Sequence, residues 1–179
     1  MDKIKKAYEF AKVAHGNQER KFVGIPYTTH IEETVQLLWE VTEGQTSIDN
    51  YIAAILHDVV EDTNITLQEI DQHFGRNVAN LVDELTVDEV EKEAKGKKQY
   101  LSEKINGMSR DALSIKLCDR LSNIVGLDNK KIPKDFVKWY IKETQYIIDN
   151  IDRELTAIHL NLITKIRSMM AFLKLNREL

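Results

Sequence analysis

Tyr51-Ile52-Ala53-Ala54-Ile55-Leu56-His57-Asp58-Val59-Val60-Glu61-Asp62 is the stretch that decides the fold of this chain. Its first six residues are almost wholly apolar and contain neither Gly nor Pro, so the run reads as a buried segment. Its Ala and Leu content favours helix over strand. The run then turns abruptly polar, and buried charges are unfavourable unless they are paired or bound to a metal. A helix that crosses a core and emerges as His-Asp, followed by Glu-Asp, asks for a cation.

Outward from this helix, nearly every segment repeats the helical apolar period. Ile4, Ala7, Tyr8, Ala11 and Ala14 make a first stripe. After the loop Gly24-Ile25-Pro26, a second stripe holds Ile31, Thr34, Val35, Leu38 and Val41. Ser47 is placed to cap the third helix, which is expected to carry His57-Asp58 near its end. Thr66-Leu67-Gln68-Glu69 is a capping box with Gly75 as the natural stop, and Val78, Leu81, Val82 and Leu85 mark the next helix. The charged stretch 88–98, with Gly96 inside it, reads as a solvated helix or a mobile loop. Ser109-Arg110-Asp111 opens a helix through Leu113, Leu117, Leu121 and Ile124, and two more are expected over Lys134–Ile151 and Arg153–Leu175. No strand-like alternation competes. The expected architecture is all-α, a single helical-bundle domain over residues 1–179. The polar motifs fall within 15–125 and the C-terminal helices within 134–176. The long final stripe can complete the core or form a homo-oligomer surface.

Composition narrows the class. A chain of 179 residues that is 42% hydrophobic and 30% charged can bury a sizeable core and should be soluble. No apolar run approaches the ~20 residues needed to span a bilayer. Met1–Lys6 has no apolar signal core behind it, and the single cysteine, Cys118, fits a reducing compartment, so a cytoplasmic location is expected. A net charge of −4 leaves no electrostatic footprint for nucleic acid, and nothing points to a membrane. An anionic substrate would have to be drawn in by a local basic patch.

Two further polar positions join His57-Asp58. His30 precedes the second helix, and Asp119 sits in Ile115-Lys116-Leu117-Cys118-Asp119-Arg120-Leu121-Ser122-Asn123. Two imidazoles and two carboxylates form a mixed N/O set suited to Mn²⁺, Fe²⁺ or Zn²⁺. His57 and Asp58 project about 100° apart on a helix, so His30 and Asp119 would have to approach from other helices. Such a set leaves positions on an octahedral ion for water and a phosphate oxygen. Glu61 is one turn after His57 and would share its face. With neighbouring Asp62 it is a candidate to deprotonate an attacking water, and either carboxylate can take the proton. Arg20-Lys21 is the local basic patch. Lys116, one turn before Asp119, can neutralise phosphate or support the metal site. His15, His73, His159, Cys118, Met169 and Met170 are assigned to packing or surface roles.

The order His…His-Asp…Asp resembles the HD-domain superfamily of metal-dependent phosphohydrolases. His15-Gly16-Asn17-Gln18-Glu19-Arg20-Lys21 with Gly24-Ile25-Pro26-Tyr27-Thr28-Thr29-His30 is similar to the N-terminal signature of the RelA/SpoT-type alarmone hydrolases. His57-Asp58-Val59-Val60-Glu61-Asp62 resembles their HDxxED motif, and Phe74-Gly75 and Lys116–Asn123 fall where that family has its later motifs. Phe22-Val23 departs from the more polar residues often found there, and Arg120 stands where Lys is common. The chain is too short for the synthetase and regulatory regions of the long enzymes, so the resemblance implies a stand-alone small alarmone hydrolase. That family cleaves the 3′-pyrophosphate of guanosine tetra- and pentaphosphate, typically with Mn²⁺. By the same resemblance, His30, His57, Asp58 and Asp119 bind the metal and Glu61 and Asp62 are catalytic. Arg20, Lys21 and Asn123 contact the nucleotide by that resemblance, and Lys116 and Tyr140 are further candidates for such a contact. The competing readings are an HD phosphohydrolase for another nucleotide, such as a 3′-phosphorylated cofactor or a deoxynucleotide, and a catalytically silent nucleotide-binding regulator.

Overall fold

Residues 2–179 are described by the computed structural model, and among them eleven α-helices and no strand are present. They are α1 (Asp2–His15), α2 (Thr28–Thr42), α3 (Ile48–Leu56), α4 (Val59–Asp62), α5 (Leu67–Phe74), α6 (Arg76–Leu85), α7 (Glu89–Lys95), α8 (Lys97–Gly107), α9 (Arg110–Gly126), α10 (Lys134–Asp149) and α11 (Ala157–Asn176). Side-chain caps set many of the boundaries. Ser47 accepts from the Asn50 amide at the start of α3, Ser109 does the same for Ala112 at α9, and Thr66 and Glu69 close the expected capping box on α5.

Three boundaries differ from the sequence pattern. The charged segment forms two helices, α7 and α8, separated at Gly96, whose φ of 81° only Gly adopts freely. The last helix begins at Ala157 rather than Arg153, because Thr156 takes the cap position and His159 completes its box. Arg153 instead donates to the Ile105 carbonyl at 3.2 Å. Most consequentially, α3 stops at Leu56, so His57 and Asp58 form the turn into α4. The His57 ring bonds the Ala54 carbonyl at 2.8 Å, occupying an acceptor of the last turn, and Asp58 relaxes to φ −106°, ψ −1°. The helical path resumes at once, with the Asp62 amide donating to the Asp58 carbonyl at 2.8 Å.

Two helices carry the core. Every residue of α3 from Asn50 to Leu56 is buried, as is α9 from Ala112 to Ser122. Helix α9 packs against α2, α3, α6 and α11. On α11, Leu162, Ile166 and Leu173 are fully buried, so its apolar stripe completes the core. Each such side chain contributes roughly 1.5–3 kcal/mol by leaving water. The polar groups at the end of α3 and on α9 are therefore mounted on the most tightly held parts of the fold. No helix among the described residues is long and apolar enough to cross a membrane.

Candidate metal centre and substrate cavity

His30 from α2, His57 and Asp58 from the α3–α4 turn, and Asp119 from α9 converge in the interior. One donor atom from each of His30, His57 and Asp119 lies within 4.8 Å of the others. His30 Nε2 is 3.2 Å from Asp119 Oδ1 and 3.2 Å from His57 Nε2, and His57 Nε2 is 2.9 Å from Asp58 Oδ2. The wider separations, His30 to Asp58 and His57 to Asp119, are 3.8 and 3.9 Å. Ligands about 2.1 Å from one ion and at right angles to each other would stand about 3.0 Å apart. The donor spacing fits a single divalent cation.

Hydrogen bonding fixes the tautomers that such a cation needs. A carbonyl only accepts, so His57 Nδ1 carries the proton that it donates to Ala54. The Ser122 hydroxyl donates to the Glu33 carboxylate at 2.7 Å, so its oxygen receives the His30 Nδ1 proton at 2.9 Å. With both Nδ1 protons committed, the two Nε2 atoms are the ring positions that face the cluster, 3.2 Å apart. Two facing lone pairs repel unless a proton or a metal lies between them.

The charges follow the same logic. Burial opposes charge on His57, but the Asp58 carboxylate outweighs it and raises the imidazole to about 9. Burial likewise opposes ionisation of Asp58 and Asp119, yet His57 beside the first, and Lys116 and His30 beside the second, hold both below the ordinary carboxylate range. Tyr27 donates its hydroxyl to Asp58, Asn123 donates to Asp119 Oδ1 at 2.6 Å, and Lys116 Nζ lies 3.0 Å from Asp119 Oδ2. A metal would displace the proton on His57 Nε2 and be held through the two Nε2 atoms and the two carboxylates.

Glu61 and Asp62 stand at the rim, solvent-accessible. The loss of hydration that remains, together with the nearby Asp58 carboxylate, raises both above their ordinary range. Glu61 accepts from the Val87 amide at 3.2 Å. Asp62 accepts from the Gln18 amide at 3.2 Å, and Gln18 in turn takes the His15 Nδ1 proton at 2.7 Å. His15, expected to have a packing role, thus supports a candidate catalytic carboxylate through Gln18.

On the other side of His30 opens a cavity of about 410 Å³, lined by Arg20, Lys21, Asn123 and Tyr140 among others. Its wall includes the loop before α2, pinned by the antiparallel bridge between Glu19 and Pro26. Phe22 in this loop has φ 72°, a strained conformation for an aromatic residue. Its ring packs 4.9 Å from Phe136, and Lys21 Nζ stands over both rings. Arg20 is held at 2.8 Å by Glu33 and lies so close to α9 that a Cβ added at Gly126 would sit 2.7 Å from its Nη2. Tyr140, pushed up to about 12 by burial, has the Arg120 guanidinium 5.0 Å from its ring centre, and Arg120 is paired with Glu143 rather than Asp119. Lys116 does not line this cavity; it is committed to Asp119. Glu33, Ser122, Gln18 and Tyr27 were not singled out as site residues by the sequence, and only the motif context of Gln18 and Tyr27 pointed toward them.

A profile of the HD domain matches residues 7–148. The chain is 36% identical over 154 residues to the guanosine-3′,5′-bis(diphosphate) 3′-pyrophosphohydrolase of Aquifex aeolicus, covering 78% of this chain and 20% of that protein. It is also 36% identical over 138 residues to mouse MESH1, a protein of the same name, covering 76% and 75% of the two chains. It therefore spans a fifth of the Aquifex relative and three quarters of MESH1. A solved structure of a metazoan orthologue of SpoT that hydrolyses ppGpp superposes with a TM-score of 0.79 at 27% identity, covering 94% and 96% of the chains. A Listeria monocytogenes protein, at 21% identity and a TM-score of 0.58, shares the fold.

Proposed function

The chain belongs to the HD-domain family, and from that premise we propose that it hydrolyses the 3′-pyrophosphate of guanosine tetra- and pentaphosphate, releasing pyrophosphate with GDP or GTP. The observation that carries this reading is the pair of His Nε2 atoms 3.2 Å apart, both turned inward by hydrogen bonds at Nδ1, beside two carboxylates, with a nucleotide-sized cavity opening next to them. His30, His57, Asp58 and Asp119 would hold the cation, which we take to be Mn²⁺. When bound, it would offset charge on the phosphate and make water a better nucleophile.

The remaining steps belong to the chain's own groups. Glu61 or Asp62, each raised by lost hydration and the nearby Asp58 carboxylate, accepts the proton of the water that attacks the 3′-attached phosphorus. The bond from that phosphorus to the ribose O3′ breaks, and O3′ recovers a proton. Gln18 and the Val87 amide orient the two carboxylates. Arg20 and Lys21 meet the anionic nucleotide in the cavity, Asn123 reaches it from α9, and Tyr140 forms part of its wall. The pairing of Lys116 with Asp119 favours a supporting role over direct phosphate contact. With a lone, buried Cys118 and such a substrate, we place the protein in the cytoplasm.

The test is turnover of guanosine tetraphosphate in Mn²⁺ with an EDTA control. GDP and pyrophosphate, lost with EDTA, support the reading. Orthophosphate release, or a preference for a different nucleotide, transfers it to another HD phosphohydrolase activity. Tight binding without turnover points to a silent regulator.

A further inference from the structure

One oxygen of Glu33 lies between the substrate cavity and the candidate metal centre. Glu33 Oε2 accepts from Arg20 Nη1 at 2.8 Å and from the Ser122 hydroxyl at 2.7 Å. Ser122 is buried and receives the His30 Nδ1 proton at 2.9 Å. The chain of contacts therefore runs from guanidinium to carboxylate to hydroxyl to imidazole, and ends at an Nε2 aimed into the cluster. A carboxylate behind a metal-bound His fixes the ring and strengthens its lone pair. Here a hydroxyl is interposed, and the carboxylate's same oxygen also holds the arginine of the cavity.

We propose that Glu33 is a positioning residue that ties the grip on the nucleotide, through Arg20, to the grip on the metal, through Ser122 and His30. This rests on the reading of the site as a metal-dependent nucleotide hydrolase, and it adds residues that neither binds metal nor touches phosphate. Two features support it beyond the distances. The Arg20 side chain is largely buried, which shields its bond to the half-exposed Glu33 carboxylate from water. Arg20 also packs closely against α9, where the absence of a Cβ at Gly126 makes room for its guanidinium. The carboxylate is thus held from both sides.

The test measures Mn²⁺ affinity directly, by the electron paramagnetic resonance of free Mn²⁺, on the wild-type chain and on Glu33→Ala, Glu33→Gln and Ser122→Ala. Removing a partner behind a ligating His costs about 10–100-fold in metal affinity. Ser122→Ala and Glu33→Ala should each weaken Mn²⁺ binding about tenfold or more. Glu33→Gln should stay within about threefold, because its amide oxygen still accepts from Ser122. At saturating Mn²⁺ the two should separate. Ser122→Ala should keep the wild-type KM, while Glu33→Ala, which also releases Arg20, should raise it. Ser122→Ala favours helix, and Glu33 is half-exposed, so both should fold. Mn²⁺ affinity within twofold of wild type in either alanine variant would overturn the proposal. Failure of the wild-type chain to cleave the alarmone would undo the proposed activity and leave this metal comparison standing.

Discussion

Lys116→Met separates the two roles open to Lys116. Its ammonium lies 3.0 Å from Asp119 Oδ2, and both side chains are about nine-tenths buried. At that distance and an effective dielectric of about 20, the Coulomb attraction is ~5.5 kcal/mol. Breaking a buried pair by removing one partner typically destabilises by about 3–5 kcal/mol, because the other charge stays behind uncompensated. His30 and His57 remain near Asp119 and soften the loss, so about 3 kcal/mol is expected for the metal-free protein. In a chain of this size, each kcal/mol moves Tm by roughly 2–4 °C, so thermal unfolding in EDTA should fall by roughly 6–12 °C. Saturating Mn²⁺ should recover most of the difference, since the cation replaces the missing charge beside Asp119, and ligand binding to the native state alone raises Tm. The assay is a pair of melts, with and without metal, alongside steady-state kinetics. A Tm in EDTA within about 3 °C of wild type, together with a raised KM, would refute the reasoning and move Lys116 onto the substrate phosphate.

Other perturbations probe the remaining groups. Glu61→Gln with Asp62→Asn should retain Mn²⁺, measured by metal titration, and lose turnover by about 10²-fold or more. Because both carboxyls are raised in the folded state, their ionised forms oppose folding once pH exceeds those values, so this double variant should melt no lower than wild type at neutral pH. The same shifts set the acid limb of activity. The base works only when deprotonated, so kcat at saturating Mn²⁺ should fall as pH drops through a carboxyl pKa above the ordinary 4.5 of Glu. Gly126→Ala should push aside the flexible end of Arg20 rather than the backbone, raising KM with little change in kcat and, through better helix propensity, leaving Tm unchanged or slightly higher.

Many of the helix caps were legible in the sequence because each follows a local rule, and the four candidate ligands named by the motif order do converge in the structure. Ser47, Thr66 and Ser109 cap where their side chains reach the next turn's amides, and the apolar run before His57, whose Ala and Leu content favours helix, is a buried helix. The end of α3 was less legible. The pattern continues through His57-Asp58, and only the bond from the His57 ring to Ala54 shows why the helix breaks there. Lys116 was ambiguous because a Lys three residues before an Asp can face either the Asp or the cavity, and packing decides between them. Glu33 and Ser122 were illegible for a different reason. Glu33 lies 89 positions from Ser122, both are common residue types on amphipathic helices, and their role exists only where α2 and α9 meet.

The central claim is that water attacks phosphorus at this centre and releases pyrophosphate. It is tested most directly by hydrolysing guanosine tetraphosphate in ¹⁸O-labelled water with Mn²⁺ and analysing both products by mass spectrometry. The account predicts GDP without label and pyrophosphate carrying one ¹⁸O. Label in the ribose hydroxyl of GDP, labelled orthophosphate in place of pyrophosphate, or no metal-dependent products would contradict it.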